Sequence, residues 1–211
     1  MIKIHPFETH AAEYDAWFDN YTSVFVSEVE ALRAALPGGD IHGIEVGLGT
    51  GRFSVALGIK EGVEPADALR EIALERGIDV IKAPAERLPY KDLHFDFVLM
   101  ASCISYMEDL HIAFREANRV LKHGGTLIVG FIAKGSVIGN FYESKRQKSV
   151  FYKQANFYSV EKVSSEIKLA GFHQLEFSQT LFSNLDDIKK FEPAEQGYDK
   201  GSFIIIRAIK K

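Results

Sequence analysis

Between residues 8 and 36 the apolar side chains Tyr14, Trp17, Phe18, Tyr21, Phe25, Val29, Leu32 and Leu36 recur every three or four positions. That is the period of one amphipathic helix or a pair of them. Pro37-Gly38-Gly39 stops the stretch, because proline cannot continue a helix and glycine loosens the backbone. The pattern then changes: short apolar runs at 41–46, 59–64, 79–82, 95–100 and 126–131 predict strands, and stretches at 53–57, 66–76 and 110–121 predict helices between them. Gly77 and Gly124-Gly125 close the second and third of these helices. The run Phe95-Asp96-Phe97-Val98-Leu99-Met100 is apolar at nearly every position, as expected of a strand covered on both faces. Strand and helix in alternation, with short links, predict an open parallel sheet with helices on both sides and right-handed crossovers. Ligands on such sheets sit at the carboxyl ends of the strands.

The last third differs. Residues 133–157 are polar and aromatic without a clear strand, 160–170 reads as a helix ended by Gly171, and strands at 174–182 and 202–210 flank an acidic loop. Two strands joined by a loop rather than a helix predict a closing antiparallel hairpin. There is no internal repeat, low-complexity tract or linker, and 211 residues can bury their apolar surface in a single core, so one domain is expected.

The densest chemistry lies where the first buried strand breaks. In Ile44-Glu45-Val46-Gly47-Leu48-Gly49-Thr50-Gly51-Arg52-Phe53, three glycines two apart lead into a helix, and Glu64 stands at the end of the next strand. Glycines at such a turn let a ligand approach the main chain, and the helix start favours a carboxylate or phosphate there. An acid at the tip of the following strand can accept hydrogen bonds from both hydroxyls of a ribose and would repel a 2′-phosphate. The spacing therefore predicts a nucleoside site.

Composition narrows the class. Hydrophobic residues at 46% and charged residues at 26% describe a folded globular protein rather than a disordered one. A net charge of −4 provides no footprint for non-specific nucleic-acid binding, so no nucleic-acid partner is expected. The lone Cys103 cannot form an intramolecular disulfide and suits a reducing compartment. No apolar run approaches membrane-spanning length, so a cytoplasmic location without a membrane partner is the expectation. The seven histidines are scattered without ligand spacing, and no metal is expected.

Five blocks stand in a telling order: Glu45-Val46-Gly47-Leu48-Gly49-Thr50-Gly51, Gly62-Val63-Glu64-Pro65, Ala85-Glu86-Arg87-Leu88-Pro89-Tyr90, Phe95-Asp96-Phe97-Val98 and Arg119-Val120-Leu121-Lys122-His123-Gly124-Gly125. Together they resemble the class I S-adenosylmethionine-dependent methyltransferases, in particular the small enzymes similar to ubiquinone and menaquinone C-methyltransferases. Phe157-Tyr158-Ser159 and Ala170-Gly171-Phe172 extend the match towards the C-terminus. The resemblance implies an α/β, Rossmann-like, doubly wound and mostly parallel seven-stranded sheet, order 3-2-1-4-5-7-6 with strand 7 antiparallel. It divides a single domain, 1–211, into an N-terminal helical cap (1–40), a cofactor-binding core (41–131), a lid insert (132–158) and a C-terminal helix and hairpin (159–211).

It also implies S-adenosyl-L-methionine as cofactor. By resemblance, Gly47, Gly49 and Gly51 line its methionine part with Glu45 near the amino group, Glu64 followed by Pro65 holds the ribose, and Ala85 and Glu86 lie beside the adenine. Ala101 and Ser102, just past the fourth strand, fall near the methionine moiety and the transferred methyl. Many relatives carry an acid before the Ala-Glu pair to grip the adenine amino group, and Pro84 stands there in this chain. Similar enzymes cover the cofactor with an N-terminal helix bearing Tyr-Asp-x-Trp-Phe, which makes Tyr14 a candidate contact beside its alternative as core packing. Glu86 could equally cap a helical turn.

The implied reaction is transfer of a methyl group to a small-molecule acceptor by in-line displacement. Its electrophile is already activated, so alignment and exclusion of water are the main requirements and no obligatory base is demanded. Should a base be needed, Tyr106 and His111 follow the fourth strand. Lys145-Arg146-Gln147-Lys148 reads as a solvated helix face or an anion site, and Cys103 as a small buried hydrophobe. Two rival readings are a catalytically silent S-adenosylmethionine-binding or partner-binding protein, and an NAD-dependent dehydrogenase. The dehydrogenase pattern wants its third glycine one residue later, where Arg52 stands.

Overall fold

The computed structural model describes residues 4–211. The N-terminal amphipathic stretch is broken into three helices, α1 (His5–Thr9), α2 (Ala11–Asn20) and α3 (Thr22–Ala35). The breaks fall at His10 and Tyr21, both of which leave helical backbone geometry. There follow β1 (Gly43–Val46), α4 (Arg52–Leu57), β2 (Glu61–Val63), α5 (Asp67–Glu75), β3 (Asp79–Ile81), β4 (Phe95–Ala101), α6 (Leu110–Val120) and β5 (Leu121–Ile132). The chain ends with α7 (Val137–Lys145), α8 (Val160–Leu169), β6 (Phe172–Thr180), β7 (Glu195–Gln196) and β8 (Phe203–Lys210).

One sheet has the order β3-β2-β1-β4-β5-β8-β6-β7. The first five strands are parallel, whereas β8 runs antiparallel to both β5 and β6. The fold class is as expected, with the strand count corrected from seven to eight. The extra strand is the two-residue β7, which pairs only with Ser178 and Gln179 at the sheet edge and carries no apolar run that periodicity could reveal. Two boundaries also move. Leu121 already pairs with Phe95, so β5 starts five residues before the expected Thr126. The stretch 133–157, for which the sequence shows only the lack of a clear strand and a helix face at 145–148, contains α7, capped by the Ser136 hydroxyl accepting from the Gly139 N–H at 3.1 Å.

The sheet separates two cores. Val98 and Met100 face Phe114, Ala117, Val163 and Ile167 of α6 and α8, while their neighbours Phe97 and Leu99 face Phe18, Leu32, Phe53 and Ile138 on the other side. Strands buried on both faces lose the alternation of polar and apolar residues, which explains the continuous run at 95–100. Each fully buried side chain such as Phe114 or Leu32 stabilises the fold by roughly 1.5–3 kcal/mol relative to its exposed state. Residues of α2, α3 and α7 all contribute to this second core.

Candidate active site

The turn after β1 is held by the Gly47 N–H donating to the Val63 carbonyl (2.8 Å) and the Gly51 N–H donating to the Leu48 carbonyl (2.9 Å). Gly47, Gly49 and Gly51 all adopt positive φ, at 70°, 58° and 80°, a region that side chains disfavour. Space separates their duties. A side chain at Gly51 would begin 2.3 Å from Ile78 Cδ1, so this glycine lets α5 approach the turn. At Gly49 it would begin 3.0 Å from the Tyr14 hydroxyl, and at Gly47 2.7 Å from Cys103 Cβ. These last two glycines form a surface against which other groups lie.

Two carboxyl groups flank the turn. Glu45 lies inside β1, wholly buried, with Oε2 accepting from the Ser54 hydroxyl at 2.5 Å and Oε1 without a donor among the described residues. Burial pushes this carboxyl up to about 8; the Ser54 bond opposes that rise and nearby Glu64 adds to it. Glu64, just past β2, accepts from the Gly49 N–H through Oε2 and from the Ala66 N–H through Oε1, both at 2.9 Å. The backbone bends at Pro65, between Glu64 and Ala66. Burial raises Glu64 to about 7 although the two amide bonds pull it down. The glycine turn and the downstream acid, paired from spacing alone, are thus directly bonded.

At the end of β4, buried Ala101 leads to Ser102, whose φ of 54° is left-handed for a residue with a side chain. The Ser102 N–H is fixed to the Gly130 carbonyl at 2.8 Å. Tyr14 stands edge-on to Phe7 and Phe18, and burial followed by the Glu64 charge raises its phenol far above the ordinary value, keeping it protonated. Ala85 is buried in the loop after β3. Glu86 accepts from the Glu108 N–H (2.8 Å) and the Asp109 N–H (3.2 Å), and so ties that loop to the approach of α6. Cys103 donates its thiol to the Val46 carbonyl at 3.1 Å.

Of the two candidate bases, Tyr106 lines the cavity described below, while His111 faces Glu166 at 3.4 Å across α6 and α8. His111 is not among the cavity's lining residues. Among the described residues no cluster of His, Cys, Asp or Glu could hold a metal ion, and no helix is long and apolar enough to cross a membrane.

Sequence reasoning missed Asp15. Its carboxylate accepts from Arg52 Nη2 (2.7 Å), from both Arg76 terminal nitrogens (2.8 and 2.7 Å) and from the Thr50 hydroxyl (2.6 Å). Burial would raise this acid, but the bonds from Arg52, Arg76 and Thr50 win and hold it well below the usual carboxylate range. Glu8 adds a second tie, accepting from the Asp67 and Ala68 N–H groups at the start of α5. These contacts clamp α1 and α2 over the glycine turn. The available signal was the acid next to Tyr14 together with an arginine next to Gly51.

Beyond Ser102 opens a cavity of about 160 Å³, walled by Trp17, Phe18, Tyr106, Tyr142, Tyr152 and Phe157, among others. Tyr142 and Tyr152 stack with ring centres 4.3 Å apart. Into it faces Glu28 of α3, only 3% exposed and pushed by burial to about 8.

Glu28, Glu45 and Glu64 together set a pH dependence. An acid raised in the folded state binds its proton more tightly there, so its contribution is complete below the ordinary value near 4.5 and lost as pH rises through about 7–8. At about 1.4 kcal/mol per unit, the ligand-free protein should lose at least about 2 kcal/mol between pH 5.5 and 8.5. Urea melts across that range check this; equal stability at both ends would contradict the burial of these acids as carboxyls.

Known proteins are similar to this chain. A family model described as a methyltransferase domain matches residues 44–129, from β1 into β5. An uncharacterised protein of Methanocaldococcus jannaschii is 43% identical over 204 residues, covering 97% of this chain and 98% of that protein. The crystal structure of a Thermotoga maritima S-adenosylmethionine-dependent methyltransferase, described as a possible histamine N-methyltransferase, superposes with a TM-score of 0.95 at 44% identity, covering 99% of this chain and all of that one. The chain belongs to the class I S-adenosylmethionine-dependent methyltransferases. A ubiquinone/menaquinone biosynthesis C-methyltransferase of Shewanella baltica shares 32% identity over 143 residues, 58% of this methyltransferase and 56% of that protein. The methyltransferase-domain match holds the glycine turn and both acids, yet excludes α1–α3 and everything after Val129. The walls of the aromatic cavity come mainly from those excluded parts.

Proposed function

We propose that this methyltransferase binds S-adenosyl-L-methionine against the glycine turn and passes its methyl group to a small-molecule acceptor seated in the aromatic cavity. What carries the reading is the pair of buried acids, Glu64 just past β2 and bonded to the turn and Glu45 in the adjacent β1 with an oxygen lacking a donor among the described residues. The fit is chemical. An ammonium group would supply the donor that Glu45 Oε1 lacks, and the remaining lone pairs of the Glu64 carboxylate can accept two ribose hydroxyls. Gly47 and Gly49 would leave room for the amino-acid tail, Ala101, Ser102 and Tyr14 would border the methyl, and Ala85 with Pro65 would border the nucleoside. Glu86 would act by fixing the adenine wall through Glu108 and Asp109, with Pro84 contributing no carboxylate.

When bound, the sulfonium supplies a methyl already electrophilic enough to need no further activation. The chain's task is therefore positional. Residues 1–40 act as a cap, 41–131 as the core, 132–158 as a lid carrying aromatic side chains onto the acceptor, and 159–211 as the closing helix and hairpin. Mobile lids with apolar undersides exclude water from such sites.

Calorimetric titration tests the reading: S-adenosylmethionine and S-adenosylhomocysteine should bind and NADH should not. NADH binding without the other two would overturn it. A labelled-methyl assay over amines, phenols, carboxylates and quinone precursors should then find transfer, and silence across the panel would favour a sensor that binds without turnover.

A further inference from the structure

The aromatic cavity has an electrical sign. Glu28 and, at its mouth, Glu13 line it, and among the described residues no lysine, arginine or histidine does. Glu28 lies mid-helix in α3 between the buried Val24 and Leu32, where an apolar side chain would pack without the cost of burying a carboxyl. Among the described residues no hydrogen-bond donor or cation meets its carboxyl group. The titratable groups facing it are the phenols of Tyr142 and Tyr152, from the segment after β5. Burial keeps both protonated, with Tyr152 pushed up to about 12. A buried acid without a partner, in a pocket walled by Trp17, Tyr142, Tyr152 and Phe157, is an incomplete ion pair inside an aromatic enclosure.

We infer that the acceptor is a protonated amine, whose ammonium group is held by Glu28 and by the faces of the surrounding rings. The inference rests on the methyl-transfer reading and names the acceptor class for the same site. Electron-rich ring faces attract cations, most strongly when water is excluded, and anionic acceptors would meet two carboxylates here. The same carboxylate answers a chemical need. An ammonium has no lone pair to offer, so a proton must pass from its nitrogen to a Glu28 oxygen, the N–H bonding pair remaining on nitrogen. Phenolic and carboxylic acceptors would find no cation to hold them.

Trp17 is the chain's only tryptophan and lines the cavity, so its fluorescence reports occupancy. The test titrates the full chain, with and without S-adenosylhomocysteine, with phenethylamine, the neutral phenethyl alcohol and the anionic 3-phenylpropionate. The amine should bind at least about ten-fold more tightly than either analogue, and its affinity should weaken as pH falls from 8 to 6 and Glu28 takes up a proton. Glu28→Gln should lose at least about ten-fold in amine affinity and its pH dependence, with affinity for S-adenosylhomocysteine within two-fold. Alcohol or carboxylate binding as tightly as the amine, or an undiminished Glu28→Gln variant, overturns the inference. Should that variant misfold, the three-ligand series on the wild-type chain decides alone. Amine binding without S-adenosylhomocysteine binding would keep the cation site and remove methyl transfer; the reverse would remove the cation site only.

Discussion

Asp15→Ala should lower the melting temperature by roughly 5–10 °C, equivalent to about 2–3 kcal/mol. The substitution leaves Arg76 without an anion and Arg52 with only the exposed Asp19, while removing the acceptor of the Thr50 hydroxyl. Breaking a fully buried pair costs about 3–5 kcal/mol; here the three side chains retain about a fifth of their exposure, and water recovers part of that. The effect carries its own pH signature. Asp15 is depressed in the folded state, so its contribution is present above the ordinary value near 3.8 and lost as pH falls through the folded value. The gap between wild type and variant should therefore begin to narrow below about pH 3.8 and close only as pH falls through the folded value, and a melting difference under about 2 °C at pH 7 would show that the cluster does not hold α2. Because α2 carries Tyr14 against Gly49, the same variant should also loosen the cover of the turn.

Glu64→Ala should weaken binding of S-adenosylhomocysteine by at least ten-fold, and up to about a hundred-fold. Each hydroxyl donating to a carboxylate is worth about 1.5–3 kcal/mol, part of which water recovers in the variant. The substitution also deprives the Gly49 and Ala66 N–H groups of their acceptor, so some of the loss will come through the turn itself. Glu64→Gln separates the two causes: one amide oxygen can still accept from a backbone N–H, whereas the charge and the second acceptor are gone. If the contribution is to the ribose, the glutamine variant melts above the alanine variant, since it keeps one of the two backbone bonds, and still binds poorly. Unchanged affinity in a folded alanine variant would remove Glu64 from the nucleoside site.

Much of the sheet was legible because its determinants are local. Apolar runs placed β1 to β4 within a residue or two, and the closing pair β6 and β8 followed from a loop where a helix would otherwise be needed. The errors have the same physical origin as the successes. The two-residue β7 exists only because β6 offers it an edge, and α7 is supported by Ile138 buried against the sheet and by the Ser202 hydroxyl, contacts that no local period announces. Glu86, ambiguous between a ligand group and a cap, is seen holding two amide N–H groups at the approach to α6.

By itself the amino-acid sequence determined the alternating architecture, the family, and the meeting of the glycine turn with Glu64. These depend on backbone freedom at a few glycines and on strand ends that the order of elements brings side by side. Only the tertiary structure decided that Asp15 clamps α2 to the glycine turn, since its partners Arg52 and Arg76 lie 37 and 61 positions away. It alone also decided that Glu28 is a buried acid in an aromatic chamber. Along the chain Glu28 is one more glutamate on a helix; its character comes from losing water, and the rings that exclude water come both from α2 and from the segment after β5.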